Sequence, residues 1–425
     1  MITVMFILLF VFLALGFPVA IAVGLPSLIY VMFEASIPDF IAIQRMIAGV
    51  NTYSLLAIPF FIFAANLMNT GGITNRIFNS TEVMMGRVKG GLAYVNIVAS
   101  VIFAGMSGAA IADAGGLGSI EIKAMRAAKY DERITLGITA ASSLIGPIIP
   151  PSMPIIVYGV VASASIGRLF AAGVIPGFIM AVALAVMIFG FQGVWNLPRG
   201  TKRTIREKIY SFRKAFLSLL TPVIILGGIF TGFFTPTEAA AIACLYSLIL
   251  SLLYRDLNMK SFIATVRASM VTTVQVLFIV AAAALFSWII AREQIPQMLV
   301  ALVNSLGLSP WIVILLMNLL LLVVGLFMET VASINLLVPV LLPVMIQLGM
   351  DPIQFGIIII LNLVIGTMTP PFGTVLFVLS SVANVSVEKV AKSVLIFFPP
   401  LLIVLLLINV FPAMTLWLPN LLFGK

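Results

Sequence analysis

The sequence predicts an all-α polytopic membrane protein made of two inverted-topology repeats, each holding a re-entrant helical hairpin and a discontinuous transmembrane helix. Three observations lead there. The 425 residues are 62% hydrophobic and only 9% charged, against about 25% charge in a soluble domain. Uncharged runs of membrane length recur from end to end, at 2–33, 46–75, 90–112, 134–167, 169–198, 215–237, 268–291, 294–328, 330–350, 352–387 and 393–424. A stretch that no continuous helix tolerates occurs twice. Leu144-Ile-Gly-Pro-Ile-Ile-Pro-Pro-Ser152 returns as Val364-Ile-Gly-Thr-Met-Thr-Pro-Pro-Phe372, with Ile145, Gly146, Pro150 and Pro151 each matched 220 positions later. Proline removes a backbone donor and clashes with the preceding turn. Inside a bilayer such a break survives only where protein or a polar cavity satisfies the freed groups, and a matched pair of breaks marks a transporter site.

The run 2–33 exceeds the roughly 20 residues of one helix, so two spans divided near Gly16-Phe17-Pro18 are expected. Met1-Ile-Thr-Val has no basic leader region, which makes it a first span and not a cleaved signal. The first repeat covers 1–198, with a hairpin at about 90–120 and a broken helix at about 134–163. The hairpin turn is Phe103-Ala-Gly-Met-Ser-Gly-Ala-Ala110, whose small residues permit close backbone packing. A basic linker follows at 199–214, with seven Lys/Arg and one Glu. The second repeat covers 215–425, with a hairpin at about 308–345 turning at Gly325-Leu-Phe-Met-Glu-Thr330, and a broken helix at about 355–385. Pro18 and Pro236 extend the period, 218 apart.

Placing the 199–214 linker in the cytoplasm puts 19 of the 23 Lys and Arg inside, as the positive-inside rule requires. Only Arg45, Arg168, Arg292 and Lys425 fall outside, and both termini come out periplasmic. Equivalent loops of the two halves then face opposite sides, the signature of an inverted repeat. The net charge of +9 therefore reflects orientation in a lipid bilayer and not nucleic-acid binding.

With no histidine and a single cysteine, Cys244, the chain lacks the groups for a zinc, haem or iron–sulfur centre and for most nucleophile–base pairs, so an embedded enzyme is disfavoured. A channel would not need two opposed hairpins. Unwound carbonyls and half-helix C-termini suit Na⁺, and half-helix N-termini suit a carboxylate. One Na⁺ site is expected from Ser107, Gly146, Ile149 and Pro150, and a second from Gly325, Met328, Gly366 and Thr369, mostly through backbone oxygens. Ser152 and Thr374, just after the breaks, are candidate hydroxyl donors to the solute. Arg292 is a candidate fixed cation, the alternative being an arginine snorkelling to the interface. Glu329 and Asp113 are hairpin charges that either order a solute hydroxyl or pair with a neighbour. Glu238 reads as the fourth residue of a capping box.

The motifs Gly105-Met-Ser-Gly-Ala-Ala-Ile-Ala-Asp113, Gly146-Pro-Ile-Ile-Pro-Pro-Ser152, Phe234-Thr-Pro-Thr-Glu-Ala-Ala240, Arg292-Glu-Gln-Ile-Pro296 and Gly366-Thr-Met-Thr-Pro-Pro-Phe-Gly373 together resemble the large membrane subunit of TRAP (tripartite ATP-independent periplasmic) transporters, over essentially the whole chain. The resemblance implies Na⁺-coupled import of a carboxylate-bearing solute such as a C4-dicarboxylate or sialic acid by an elevator motion, in the bacterial inner membrane. It implies two partners, a small four-helix membrane subunit and a periplasmic substrate-binding protein. Ser107, Ser152 and Arg292 fall where the family's solute-facing polar residues lie, and Glu329 where sialic-acid-type members have an acidic residue. Ala109 and Ala110 depart from the hydroxyl residues common in that hairpin. The runner-up is a stand-alone ion-coupled dicarboxylate carrier of related architecture.

Overall fold

The computed structural model describes residues 1–85, 88–200 and 203–424, leaving out the side chains of Met106 and Ser107. Among the described residues, 22 α-helices and two 3-10 turns account for the architecture, joined by turns and a lone bridge between Lys89 and Arg199. Eight helices are long and apolar enough to cross a membrane: Tyr53–Thr70, Ile166–Phe191, Ile205–Phe230, Pro236–Leu253, Met259–Arg292, Pro310–Phe327, Thr330–Gln347 and Val387–Val410.

The opening apolar run divides as its Gly-Phe-Pro punctuation requires, into Ile2–Ala14 and Val19–Phe33, with Gly16 at φ +78°. These two helices, Phe40–Val50 and the C-terminal end of Met259–Arg292 enclose a small core of Met5, Leu9, Tyr30, Phe286 and Ile289. A larger, separate core holds the two interrupted segments. The first runs from Glu132–Ser143 through turns at 144–152 to Met153–Val161. The second runs from Pro352–Met368 through 369–373 to Thr374–Ala383. Residues 134–152 and 353–368 are buried without a break. A helix enclosed on every side needs no polar stripe, and both lie in runs without charge, 134–167 and 352–387. Asp131 and Asp351, 220 apart, start these segments in the same way. The first accepts from the Arg133 N–H at 2.8 Å and the second from the Ile353 N–H at 2.7 Å. The Pro150–Pro151 and Pro370–Pro371 bonds are both cis.

A pair of helices joined by a tight turn precedes each interrupted segment. The first pair is Gly91–Ser107 followed by Ala110–Gly115 and Leu117–Ala127, turning at Gly108 with φ +61°. The second is Pro310–Phe327 and Thr330–Gln347, turning at Met328-Glu329. The returning arm of the first pair is itself broken at Gly116, between Ala110–Gly115 and Leu117–Ala127. There a side chain would approach Ala112 O to 2.9 Å and Asn69 Nδ2 to 3.3 Å.

The basic linker is a correction. Residues 205–214 form the first turns of Ile205–Phe230 and are not a loop. The cause is a capping box: the Thr204 N–H donates to Glu207 Oε2 at 2.7 Å, and the Glu207 N–H donates to Thr204 Oγ1 at 3.2 Å. The same box starts Pro236–Leu253, where Thr235 and Glu238 exchange bonds of 2.8 and 3.3 Å.

The two interrupted segments interlock. Met153–Val161 packs on Thr330–Gln347 and crosses Pro352–Met368, while Thr374–Ala383 packs on Ala110–Gly115 and Leu117–Ala127. At the crossing, Tyr158 donates its hydroxyl to Pro352 O at 2.6 Å and meets Phe355 edge-on at 6.3 Å. Its ring lies over Gly356, where an added Cβ would come within 2.5 Å of Cε1. Gly356→Ala should therefore lower the thermal midpoint of the purified chain, since overpacking costs about 1–3 kcal/mol. An unchanged midpoint would rule out this crossing.

Candidate functional site

Both interruptions are built by backbone touching backbone. In the first loop, Pro147, Pro150 and Pro151 bring no N–H of their own. Ser152, fully buried, holds the loop together. Its Oγ donates to Pro147 O at 2.5 Å and accepts the Ile155 N–H at 3.3 Å, capping the helix that follows. This sequence-predicted solute donor thus has its hydroxyl engaged within the loop. The turn of the first helical pair closes directly onto the same backbone. A Cβ on Gly108 would lie 2.6 Å from Pro151 O, and one on Gly105 would lie 2.7 Å from Pro222 Cβ and 3.8 Å from Pro150 O. Ser107 ends its helix between these two glycines, and its side chain lies outside the described residues. Gly146 has no space for a side chain, because the carboxylate of the buried Asp113 occupies it. The Ile149 side chain is turned away, against Gly177. Pro150 therefore lies beside the turn and Gly146 against the short helix that follows it, while the contact made by the Ile149 side chain is with Gly177.

The second interruption repeats the principle with different residues. Gly325 and Gly366 meet backbone to backbone: a Cβ on Gly366 would sit 2.5 Å from Gly325 Cα, and one on Gly325 would sit 2.7 Å from Leu363 O. Phe327 lies 5.2 Å from Phe372, ring to ring, which sets the turn beside the break. Met328 and Thr369 are the extended residues that end their respective helices. Thr369 Oγ1 donates to Ile365 O at 2.9 Å. Thr374 opens the second half of the segment, and its buried Oγ1 has no hydrogen-bond partner among the described residues. Glu329 caps its own helix, accepting from Val331 and Ala332 N–H at 2.8 and 3.2 Å, where the helix dipole favours a carboxylate.

Arg292 sits elsewhere. It ends Met259–Arg292 in the small N-terminal core, exposed, donating to Ser36 Oγ at 2.7 Å with its guanidinium 5.8 Å from the Trp288 ring centroid.

Two polar clusters join residues far apart in the chain. Asn96, fully buried on the first pair, donates to Thr139 Oγ1 at 2.8 Å and accepts from Ser142 Oγ at 2.5 Å. On the second pair, Asn318 Oδ1 accepts from Asn362 at 2.8 Å and from Asn409 at 3.2 Å. Asn96 and Asn318 are 222 apart, and Ser142 and Asn362 are 220 apart. A carboxamide in the middle of an apolar run, recurring at the period of the broken motif, was the available signal. Each cluster ties a helical pair to the interrupted segment behind it.

An all-helical bundle with two interrupted helices buried at its centre, and donor sets of carbonyls and hydroxyls at the breaks, is the architecture of a membrane transport protein. Residues 6–414 match the family model described as the tripartite ATP-independent periplasmic transporter, DctM component. The chain is 46% identical over 413 residues to the sialic acid TRAP transporter large permease protein SiaM of Vibrio cholerae, covering 96% of each. It is 42% identical to the sialic acid TRAP transporter permease protein SiaT of Haemophilus influenzae, covering 96% of this chain and 66% of that longer protein. The Alcanivorax borkumensis YdaH transporter has a similar fold, with TM-score 0.63 at 12% identity and coverage of 91% and 90%. The chain belongs to the DctM family of TRAP transporter large permeases, and is a transporter component and not an enzyme.

Ser152→Ala should cost about 1 kcal/mol through loss of the cap alone, visible as a lower melting point in detergent. Asn318→Leu should cost more, about 1–3 kcal/mol, by removing the bonds that Asn362 and Asn409 make to its carboxamide. A melting point equal to the parent's in Asn318→Leu would mean that the carboxamide cluster does not hold the segment.

Proposed function

We propose that the chain is the large subunit of a sodium-coupled secondary importer for a carboxylate-bearing organic solute, with sialic acid the first candidate and a C4-dicarboxylate the second. The observation that carries this reading is the duplicated seating of a glycine turn against a broken helix. Each such place gathers carbonyls at close range, the donor type for a weakly held Na⁺. Ser107, Gly146, Ile149 and Pro150 form the first ion site, and Gly325, Met328, Gly366 and Thr369 the second. The solute binds between the turns. Ser107, Ser152, Thr374 and Glu329 are the polar groups there, and the exposed Arg292 is the cation that meets the carboxylate on its approach. The 46% identical relative named for sialic acid supports the choice of solute.

The two halves, 1–198 and 215–425, are inverted repeats in this reading. The reciprocal packing of each broken helix on the other half's helical pair supports it, and so do the matched Asp131 and Asp351 caps. The interlocked centre moves as one elevator unit against a frame that includes the N-terminal helices and Met259–Arg292. A small four-helix membrane subunit extends that frame and a periplasmic binding protein delivers the solute. The longer relative, with room for a second component in one chain, is consistent with such a partner. The protein lies in the inner membrane with both termini periplasmic, which the basic-residue count favours.

Reconstituted vesicles test this. Sialic acid uptake should need an inward Na⁺ gradient together with the binding protein and small subunit. Uptake that persists with K⁺ replacing Na⁺ would sink the ion coupling, and uptake without the binding protein would favour the stand-alone carrier. Ser107→Ala and Arg292→Ala should each lower uptake by about tenfold or more at unchanged protein level, the worth of one hydrogen bond to a charged group. Parental uptake in both would overturn the solute-site assignment.

A further inference from the structure

A cavity of about 850 Å³ opens away from both interruptions, between the end of Tyr53–Thr70, the helix Ile73–Met85, the charged start of Ile205–Phe230 and the turn after Pro236–Leu253. One face of Ile73–Met85 packs inward through Ile73, Thr74, Ile77 and Phe78. The other presents Asn75, Arg76 and Asn79 to the cavity, with Asn79 a surface neighbour of both, three and four residues on.

The charge inside is unbalanced. Among the described residues, Asp256 is the only acidic one in the lining, and Arg76 neutralises it at 2.6 Å while stacking on Tyr254 at 3.8 Å. Arg213 and Lys214 line the opposite wall. Among the described residues, no carboxylate lies within ion-pair distance of either.

The cavity also spans the boundary between charged and apolar surface. Along Ile205–Phe230 the charges end at Lys214, and the chain is then uncharged as far as Thr237. Exposed Phe216 and Leu217 follow directly, with exposed Leu253 on the neighbouring helix. Two positive groups therefore stand at the edge of an apolar face fit for acyl chains, with Tyr254 in the same lining, the pairing of charge, aromatic ring and apolar surface found at membrane interfaces.

We propose that this cavity binds the phosphate-bearing headgroup of an anionic phospholipid. Arg213 and Lys214 hold the phosphate, Asn75 and Asn79 bond the headgroup hydroxyls, and the chains descend over Leu217 and Leu253. Basic recesses between membrane helices are known to take such headgroups. Asn69, also in the lining, accepts from Thr74 Oγ1 at 2.8 Å and touches Gly116 of the first helical pair. A bound lipid thus braces the seam between these helices and that pair.

The test is a thermal-shift titration of the purified chain with short-chain phosphatidylglycerol, phosphatidylcholine of the same chain length, and inorganic phosphate. Phosphatidylglycerol should raise the melting point and the other two should not. Joint Arg213→Gln and Lys214→Gln substitution should weaken phosphatidylglycerol binding about thirtyfold. Lys260→Gln with Arg267→Gln, on a separate basic surface, should leave it unchanged. Equal stabilisation by phosphatidylcholine overturns the proposal, as does equal stabilisation by inorganic phosphate, which would make this a free-anion site. Parental lipid affinity in the Arg213/Lys214 variant overturns it too. The lipid comparison uses the unaltered chain, so it decides even where that variant does not accumulate.

Discussion

The fold depends on one constraint. A helix interrupted inside a bilayer must find partners for its freed polar backbone within the protein. Here freed groups are met inside each break, as where the Ile148 N–H donates to Ile145 O at 3.1 Å and the Gly373 N–H to Thr369 O at 3.0 Å, and glycine lets neighbouring backbone close over them. Gly108 sets a turn against Pro151 and Ser152, Gly366 lies against Gly325, and the Ile148 carbonyl oxygen occupies the space that a side chain on Gly173 would fill. Each of these positions excludes a Cβ, so the closeness is written into the sequence as the absence of one. Ser152 completes the first loop, because a hydroxyl can donate to Pro147 O while accepting from Ile155. The loop is held by its own following helix.

This way of building the site explains its sparse side-chain chemistry. The chain has no histidine, and among the described residues no three His, Cys, Asp or Glu side chains converge as a metal site. The polar groups at the breaks serve structure first: Ser152 and Glu329 are caps, and Thr369 bonds its own helix. The Asn96 and Asn318 clusters stand behind the breaks and fix the helical pairs that close on them.

What the sequence could reveal follows from the same physics. Glycine and proline act on their own backbone, so the two breaks, the division at Gly16–Pro18 and the tight turns were all legible from one residue and its neighbours. Cooperating side chains were not, since their partners are distant in the chain. Asn96 meets Ser142 across 46 residues, and Tyr158 meets Pro352 across 194. The place of Arg292 in the fold was hidden for a related reason. It closes an apolar run, but the run says nothing of which core its end will join, and the 34-residue helix carries it to the N-terminal cluster. The 199–214 segment hid a helix start because seven basic residues outweighed a Thr204–Glu207 capping box that was already visible in the sequence.

The interlock makes the two breaks mechanically dependent. Thr374–Ala383 rests on the returning arm of the first pair, with Val378 facing Gly115 and Leu379 facing Gly118. Met153–Val161 rests in turn on Thr330–Gln347, and Tyr158 is bonded to the start of the second segment. A shift of the first turn against its loop therefore displaces the support of the second segment, and the reverse holds equally. Packed interiors resist gradual deformation and move between discrete arrangements. A centre connected in this way has few independent ways to rearrange, so a change of geometry at one break biases the geometry at the other.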